Sequence, residues 1–144
     1  MPAVRVGTPL RVFWRVHRAF MRATGGRFGR VGPLPALLLT TRGRKSGEPR
    51  DVTLNYLRDG TAFVVVASYG GEDPDPAWWR NLKANPVADV LVDGRRVRVR
   101  ASELDGARRE EVWARIVARD PSYSEYQGRT TRRLAVVLLE PLAG

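Results

Sequence analysis

Apolar residues change their period twice along this chain. Val12, Phe13, Val16, Ala19, Phe20 and Ala23 recur at helical spacing, with Arg11, Arg15, Arg18 and Arg22 on the flank. Pro9 opens the pattern and Gly25-Gly26 ends it, which predicts a short, basic, amphipathic helix. A Gly/Pro-rich connector follows, and the period then shortens. Ala36–Thr41 (ALLLTT) opens on four apolar residues in a row, as a strand buried on both faces reads. Arg50–Leu57 (RDVTLNYL) alternates as a half-buried strand does. Asp59-Gly60 marks a hairpin, and Thr61–Ser68 (TAFVVVAS) is again nearly all apolar. These three segments predict a three-stranded meander. Asp75-Pro76 reads as an N-cap and first helical residue, for a helix ending near Ala84. Val87–Val92 and Arg95–Glu103 flank Asp93-Gly94 as a second hairpin. Gly106–Arg119 has a helical apolar face of Val112, Trp113, Ile116 and Val117. Asp120–Arg133 reads as an aromatic-bearing loop or short helix, and Leu134–Glu140 as a last buried strand. Six short strands with interspersed helices predict an α+β, mainly β domain: a small barrel with helical additions.

Composition narrows the chemistry. The 144 residues suit a single core, and a hydrophobic content of 43% is too high for a disordered chain. Absence of cysteine excludes a disulfide framework, a thiolate metal site and a Cys nucleophile. A lone histidine, His17, argues against a His-rich metal centre or a Ser-His-Asp triad, and no metal site is expected. No apolar run reaches transmembrane length, and Met1–Val6 lacks the pattern of a signal peptide. The net charge of +10 is unevenly placed. Residues 1–58 hold twelve basic and two acidic residues, whereas residues 59–144 are neutral overall. Such a bias points to an acidic partner: a nucleic acid, an anionic membrane or an anionic small molecule.

Three segments carry candidate chemistry. Arg42-Gly43-Arg44-Lys45-Ser46-Gly47, with Arg50 close behind, puts cations and a hydroxyl on a glycine-flanked turn between two strands. Glycine lets backbone approach a ligand, and Arg offers a fork matched to phosphate or carboxylate. The turn therefore reads as an anion site or as a solvated hairpin tip. It is not a phosphate-binding Walker loop, because Lys-Ser precedes the second Gly and a strand follows. Ala77-Trp78-Trp79-Arg80-Asn81 places two adjacent indoles on a short helix, where one is expected to pack inward and the other to flank a pocket. Pro121-Ser122-Tyr123-Ser124-Glu125-Tyr126 sets two tyrosines three apart, on one face of a helical turn. They either line a pocket or anchor the loop.

Taken in order, LLLTTRGRKSGEPR, LRDGTAFVVVASYGG, PAWWRNLKANP, DPSYSEYQ and LAVVLLEP resemble the deazaflavin-dependent nitroreductase family, over about Leu34 to Pro141. The resemblance implies a six-stranded split β-barrel of the FMN-binding type, with an N-terminal helix and two to three short helices. It implies coenzyme F420, an 8-hydroxy-5-deazaflavin with an anionic phosphodiester and oligoglutamate tail. The implied activity is hydride transfer from reduced F420 to a quinone, an enone or a nitro compound. Carried over by position, Arg44, Lys45, Ser46 and the run Arg50, Asp51, Val52, Thr53, Leu54 and Asn55 line the phosphate and ring approach. Val66, Ala67, Ser68 and Tyr69 run along the deazaflavin. Ala77, Trp78, Trp79, Arg80 and Asn81 close over it, with Trp78 as the aromatic contact. Tyr123 and Tyr126 border the acceptor, and these two or Ser68 supply the proton. Asn55, Tyr69 and Asp120 depart from residues found in some members, so the acceptor pocket is expected to be altered.

The expected organisation is an N-terminal helix and connector over residues 1–30 and a cofactor-binding barrel over residues 31–144. Two other functions stay open on the sequence: a non-catalytic carrier of F420 or another anionic flavin-type cofactor, and a basic nucleic-acid-binding domain. The latter lacks any helix-turn-helix, zinc-finger or RNP-like signature, so no nucleic acid is expected. The expected state is a cytoplasmic monomer or homodimer acting on a small-molecule acceptor. Peripheral membrane contact through the N-terminal helix stays open.

Overall fold

A computed structural model describes residues 33–68 and 75–143. The expected Pro9–Ala23 helix, the whole 1–30 segment and Tyr69 lie outside the described residues. The described chain forms seven strands and three helices: β1 (Ala36–Arg42), β2 (Pro49–Asn55), β3 (Leu57–Asp59), β4 (Ala62–Val66), α1 (Ala77–Ala84), β5 (Val87–Val92), β6 (Arg95–Glu103), α2 (Gly106–Arg119), α3 (Ser122–Gly128) and β7 (Val136–Pro141). Every pairing is antiparallel, in the order β2-β1-β5-β6-β7-β4-β3.

The strand count and the strand order differ from expectation. There are seven strands rather than six, because the Arg50–Leu57 pattern is two strands divided at Tyr56. There is also no meander: β1 pairs with β2 and β5, while β4 pairs with β3 and β7. The division is made by hydrogen bonds that leave the ladder. The Tyr56 N–H donates to the Pro35 carbonyl at 2.9 Å, and Asn55 Nδ2 donates to the Leu34 carbonyl at 3.0 Å. Leu57 then pairs with Val64. An alternating pattern cannot report a change of partner, because the period is the same on either side of the corner.

The consequence is geometric. β2 and β3 are the two edges of the sheet, yet only Tyr56 separates them along the chain. Consecutive Cα atoms are about 3.8 Å apart, so the sheet must curl until its edges meet there. The result is a half-barrel, with its edges joined at Tyr56 and unpaired with each other beyond it. Tyr56 is buried and meets Phe63 edge to face, with ring centroids 5.4 Å apart.

The apolar runs follow from two layers of packing. Leu37, Leu39, Phe63, Val65, Val90, Val99, Val137 and Leu139 fill the concave side with Trp79 and Leu82 of α1. Val64, Val66 and Val136 face the other way, against Val112 and Ile116 of α2 and Tyr123 of α3. Alternate residues of β4 therefore enter different cores, and no polar position remains. Asp93 and Gly94 both take positive φ, 47° and 78°, as the tight β5–β6 hairpin requires. β7 starts two residues later than expected; the Leu134 N–H donates at 3.0 Å to Gln127 Oε1 rather than to a strand.

α1 also differs at its start. Pro76, not Asp75, is the N-cap, and its carbonyl accepts from the Trp79 and Arg80 N–H groups. Among the described residues no helix is long and apolar enough to cross a membrane.

The Tyr56 corner is testable. Tyr56→Ala removes a buried ring from the point where the edges join and is expected to cost about 3 kcal/mol or more. Urea unfolding monitored by circular dichroism measures it; a loss below about 1 kcal/mol contradicts the role given to this corner.

Candidate active site

The β1–β2 turn is built around one close approach. Gly43 N–H donates to the Glu48 carbonyl and Gly47 N–H to the Gly43 carbonyl, each at 2.8 Å. Ser46 Oγ accepts from the Glu48 N–H at 3.1 Å and from Arg50 Nη2 at 3.2 Å. A Cβ at Gly43 would lie 2.7 Å from Ser46 Oγ, so only glycine leaves the hydroxyl in place. Arg44, Lys45 and Arg50 are exposed around this turn. Asp51 accepts from the Thr40 hydroxyl at 2.7 Å, and Glu48 is exposed within the turn.

α1 is tied to the same turn. Arg44 donates to Asn81 Oδ1 from its backbone N–H at 3.1 Å and from Nη1 at 2.8 Å. Asn81 Nδ2 donates to the Thr41 hydroxyl at 3.1 Å. Asn81 and Thr41 are both buried, so an amide on the helix fixes the backbone and the guanidinium of the turn together.

Between the turn, β2, the end of β4 and the start of α1 lies a cavity of about 640 Å³. Gly43, Arg44, Lys45, Ser46 and Arg50 form a basic end; Val52, Leu54, Val66 and Trp78 form an apolar wall. Thr41, Asp51, Ser68, Pro76, Ala77 and Asn81 complete the lining. Such a lining can meet an anionic group at one end and an apolar surface at the other. Among the described residues no cluster of His, Cys, Asp and Glu is arranged to hold a metal.

Several expected site residues lie elsewhere. Thr53 and Asn55 are on the opposite face of β2 from Val52 and Leu54, as a period of two demands, and the Asn55 amide is held by carbonyls. Ala67 is fully buried, with its N–H on the Ala135 carbonyl. Both tryptophans are buried, 8% and 5% exposed, with centroids 6.4 Å apart. A helix seated in a concave sheet has protein on more than one side, so Trp79 enters the core while Trp78 lines the cavity. Arg80 is exposed and is not in the lining.

Tyr123 and Tyr126 also stand outside the lining. Tyr123 is 8% exposed in the core between α2 and the sheet, and meets Tyr126 edge to face at 5.5 Å. Burial, and then the Asp120 charge, push its hydroxyl pKa up to about 12. Thr41, Gly43 and Pro76 are lining residues that the sequence reading did not single out. Gly43 stood inside the basic motif, and its signal was the tight turn itself. Thr41 gave none, since it read as the end of a buried strand.

The curled sheet thus carries one cavity that is basic at the β1–β2 turn and apolar along β2, the end of β4 and the start of α1. Comparisons with known proteins identify the family. The sequence model of the F420H(2)-dependent quinone reductases matches residues 13–141, and the chain belongs to that family. It is 41% identical over 133 residues to an F420H(2)-dependent quinone reductase of Mycobacterium tuberculosis, covering 87% of each chain. Among solved structures it is similar to an F420-H2 dependent reductase named FDR-A, with TM-score 0.68 and 38% identity, covering 74% of this chain and 94% of that one. It is also similar to a protein solved as a domain-swapped dimer, with TM-score 0.70 and 32% identity, covering 92% of this chain and 100% of that one. Membership among F420-dependent reductases agrees with the resemblance; the acceptor in the family's name is a quinone rather than a nitro compound.

Tyr123 yields a pH prediction. Its pKa is 10.0 in an exposed chain and about 12 in the fold, so between those values the unfolded chain gives up a proton that the folded one keeps. Stability is therefore expected to fall as pH rises through that window, by up to about 2–3 kcal/mol. Tyr123→Phe is expected to lose this part of the slope. Urea midpoints measured against pH check it, and identical slopes for both proteins contradict it.

Proposed function

We propose that this protein is an F420H2-dependent quinone reductase that holds the anionic portion of F420 at the β1–β2 turn and its ring against the apolar wall. The observation that carries the reading is the two-ended cavity, basic at Arg44, Lys45, Ser46 and Arg50 and apolar at Val52, Leu54, Val66 and Trp78, in a chain of this family. The donor set suits the cofactor: forked guanidinium groups, an ammonium and a hydroxyl match a phosphodiester. Val52 and Leu54 are apolar side chains left half-buried on the cavity face, as a ring surface would require.

Reduced F420 supplies the hydride when bound. The chain's own part is orientation and exclusion of water. The Asn81 bonds hold Arg44 in position before any ligand arrives, so less ordering is needed on binding. Trp78 supplies a flat, buried wall for the ring. Conversion of a quinone to a hydroquinone takes one hydride and a proton. We assign the proton relay from solvent to Ser68, which lies in the lining, whereas Tyr123 and Tyr126 do not. Tyr123, in the neighbouring core with a raised pKa, is left a packing role.

F420 fluorescence titration tests binding, and oxidation of F420H2 by a soluble naphthoquinone tests turnover. No binding up to millimolar F420 refutes the reading. Lys45→Ala with Arg50→Ala is expected to weaken F420 binding at least about a hundredfold, since each charge-assisted hydrogen bond contributes about 1.5–3 kcal/mol. Thermal unfolding of this exposed double variant is expected to stay close to wild type. Unchanged affinity refutes the placement of the phosphodiester.

A further inference from the structure

α1 is held at both ends, and the sequence motifs announced only one of the ties. Its second half is bound to the β1–β2 turn through Asn81. Its start is bound to a residue outside every motif. Arg132, between α3 and β7, donates from Nη1 to the Ala67 carbonyl at 3.0 Å and to Asp75 Oδ1 at 3.1 Å, and from Nη2 to the Ser68 carbonyl at 3.0 Å. Its side chain is 16% exposed. Ala67 and Ser68 follow directly on β4, and Asp75 directly precedes Pro76, the N-cap of α1. One planar guanidinium thus joins two walls of the cavity, Val66 and Ser68 on one side and Pro76, Ala77 and Trp78 on the other.

We infer that Arg132 is a positioning residue for the reaction: it sets the separation between the end of β4 and the start of α1, at the apolar end of the cavity. The inference rests on the reading in Proposed function, which puts the reacting ring at that end. Three acceptors on two segments need a rigid fork; a lysine ammonium on a flexible stem cannot hold all three in one plane. The ion pair with Asp75 is partly exposed and by itself worth little. The two carbonyl bonds are different in kind, because they hold backbone that ends a strand. Arg132 is not in the basic turn, so it is expected to govern alignment of the ring more than retention of the anionic tail. A ring misplaced by about 1 Å loses up to a hundredfold in rate.

The experiment separates these effects. In Arg132→Ala saturated with F420H2, single-turnover hydride transfer to a naphthoquinone is expected to fall on the order of tenfold to a hundredfold. F420 affinity is expected to fall by no more than about threefold. Arg132→Lys is expected to recover part of the rate. Arg133→Ala, which removes an equal charge from the exposed neighbour, is expected to match wild type in both measurements. A readout without turnover is amide hydrogen exchange at Ala67, Trp79 and Arg80, expected to accelerate in Arg132→Ala and not in Arg133→Ala. If Arg132→Ala does not fold, Asp75→Asn weakens the tie to α1 and is expected to slow transfer in the same direction, whereas Lys83→Ala, which removes only the other ion pair of Asp75, is expected to match wild type. An unchanged single-turnover rate in the variant that folds, or an equal loss in Arg133→Ala, overturns the inference. Failure of the wild-type protein to oxidise F420H2 instead refutes the reading on which it rests, and the exchange measurement still reports whether Arg132 holds the two walls together.

Discussion

Tyr56 separates the two edge strands of the sheet by a single residue, and that constraint shapes the rest of the molecule. A seven-stranded antiparallel sheet with edges so tethered cannot lie open; it curls until β2 and β3 share a corner. The corner is held by backbone bonds to the segment before β1 and by the packing of Tyr56 on Phe63. Curling produces a concave side deep enough to seat α1 and a convex side that α2 and α3 cover. Beyond the corner the edges part, and the cavity opens in that gap between β2, the end of β4 and α1.

The cavity then takes its character from which residues the curl leaves uncovered. Where β2 emerges from the turn, exposed cations meet few acids; farther along the strand, Val52 and Leu54 face the gap with no sheet neighbour to bury them fully. A single lining therefore changes from charged to apolar along its length. α1 closes it as a braced element rather than a loose lid, with Asn81 toward the turn and Asp75 toward Arg132. Buried Asn81 and the largely buried Arg132 are polar groups with their partners in place, so they orient the helix without leaving unpaired charge in the interior.

Much of this was legible in residue pattern. Continuous apolar runs marked the strands buried on both faces, Asp93-Gly94 marked its hairpin, and the Val112, Ile116 spacing marked the buried face of α2. The basic turn was recognisable because glycines and forked cations occur together there. Less was legible wherever a residue's role depends on a distant partner. Thr53 and Asn55 belong to the same run as Val52 and Leu54, although alternation turns them to the other face. Tyr123 and Tyr126 have the look of pocket residues, yet the helix that carries them packs on the convex side. Arg132 lies in an unremarkable polar stretch, and nothing local to it indicates that it reaches Ala67, Ser68 and Asp75.

The sequence by itself determined the elements, the two-sided burial of the central strands, the location of the positive charge and the resemblance to F420-dependent reductases. Only the tertiary structure decided that one alternating run is two strands, that the sheet orders itself β2-β1-β5-β6-β7-β4-β3, and which residues face the cavity. The reason is the range of the interactions. Periodicity, turn chemistry and charge are properties of neighbours along the chain, and they are written in local order. Strand partners, the closing of a curl and a guanidinium bridging two walls join residues tens of positions apart, and they exist only once the chain has folded around them.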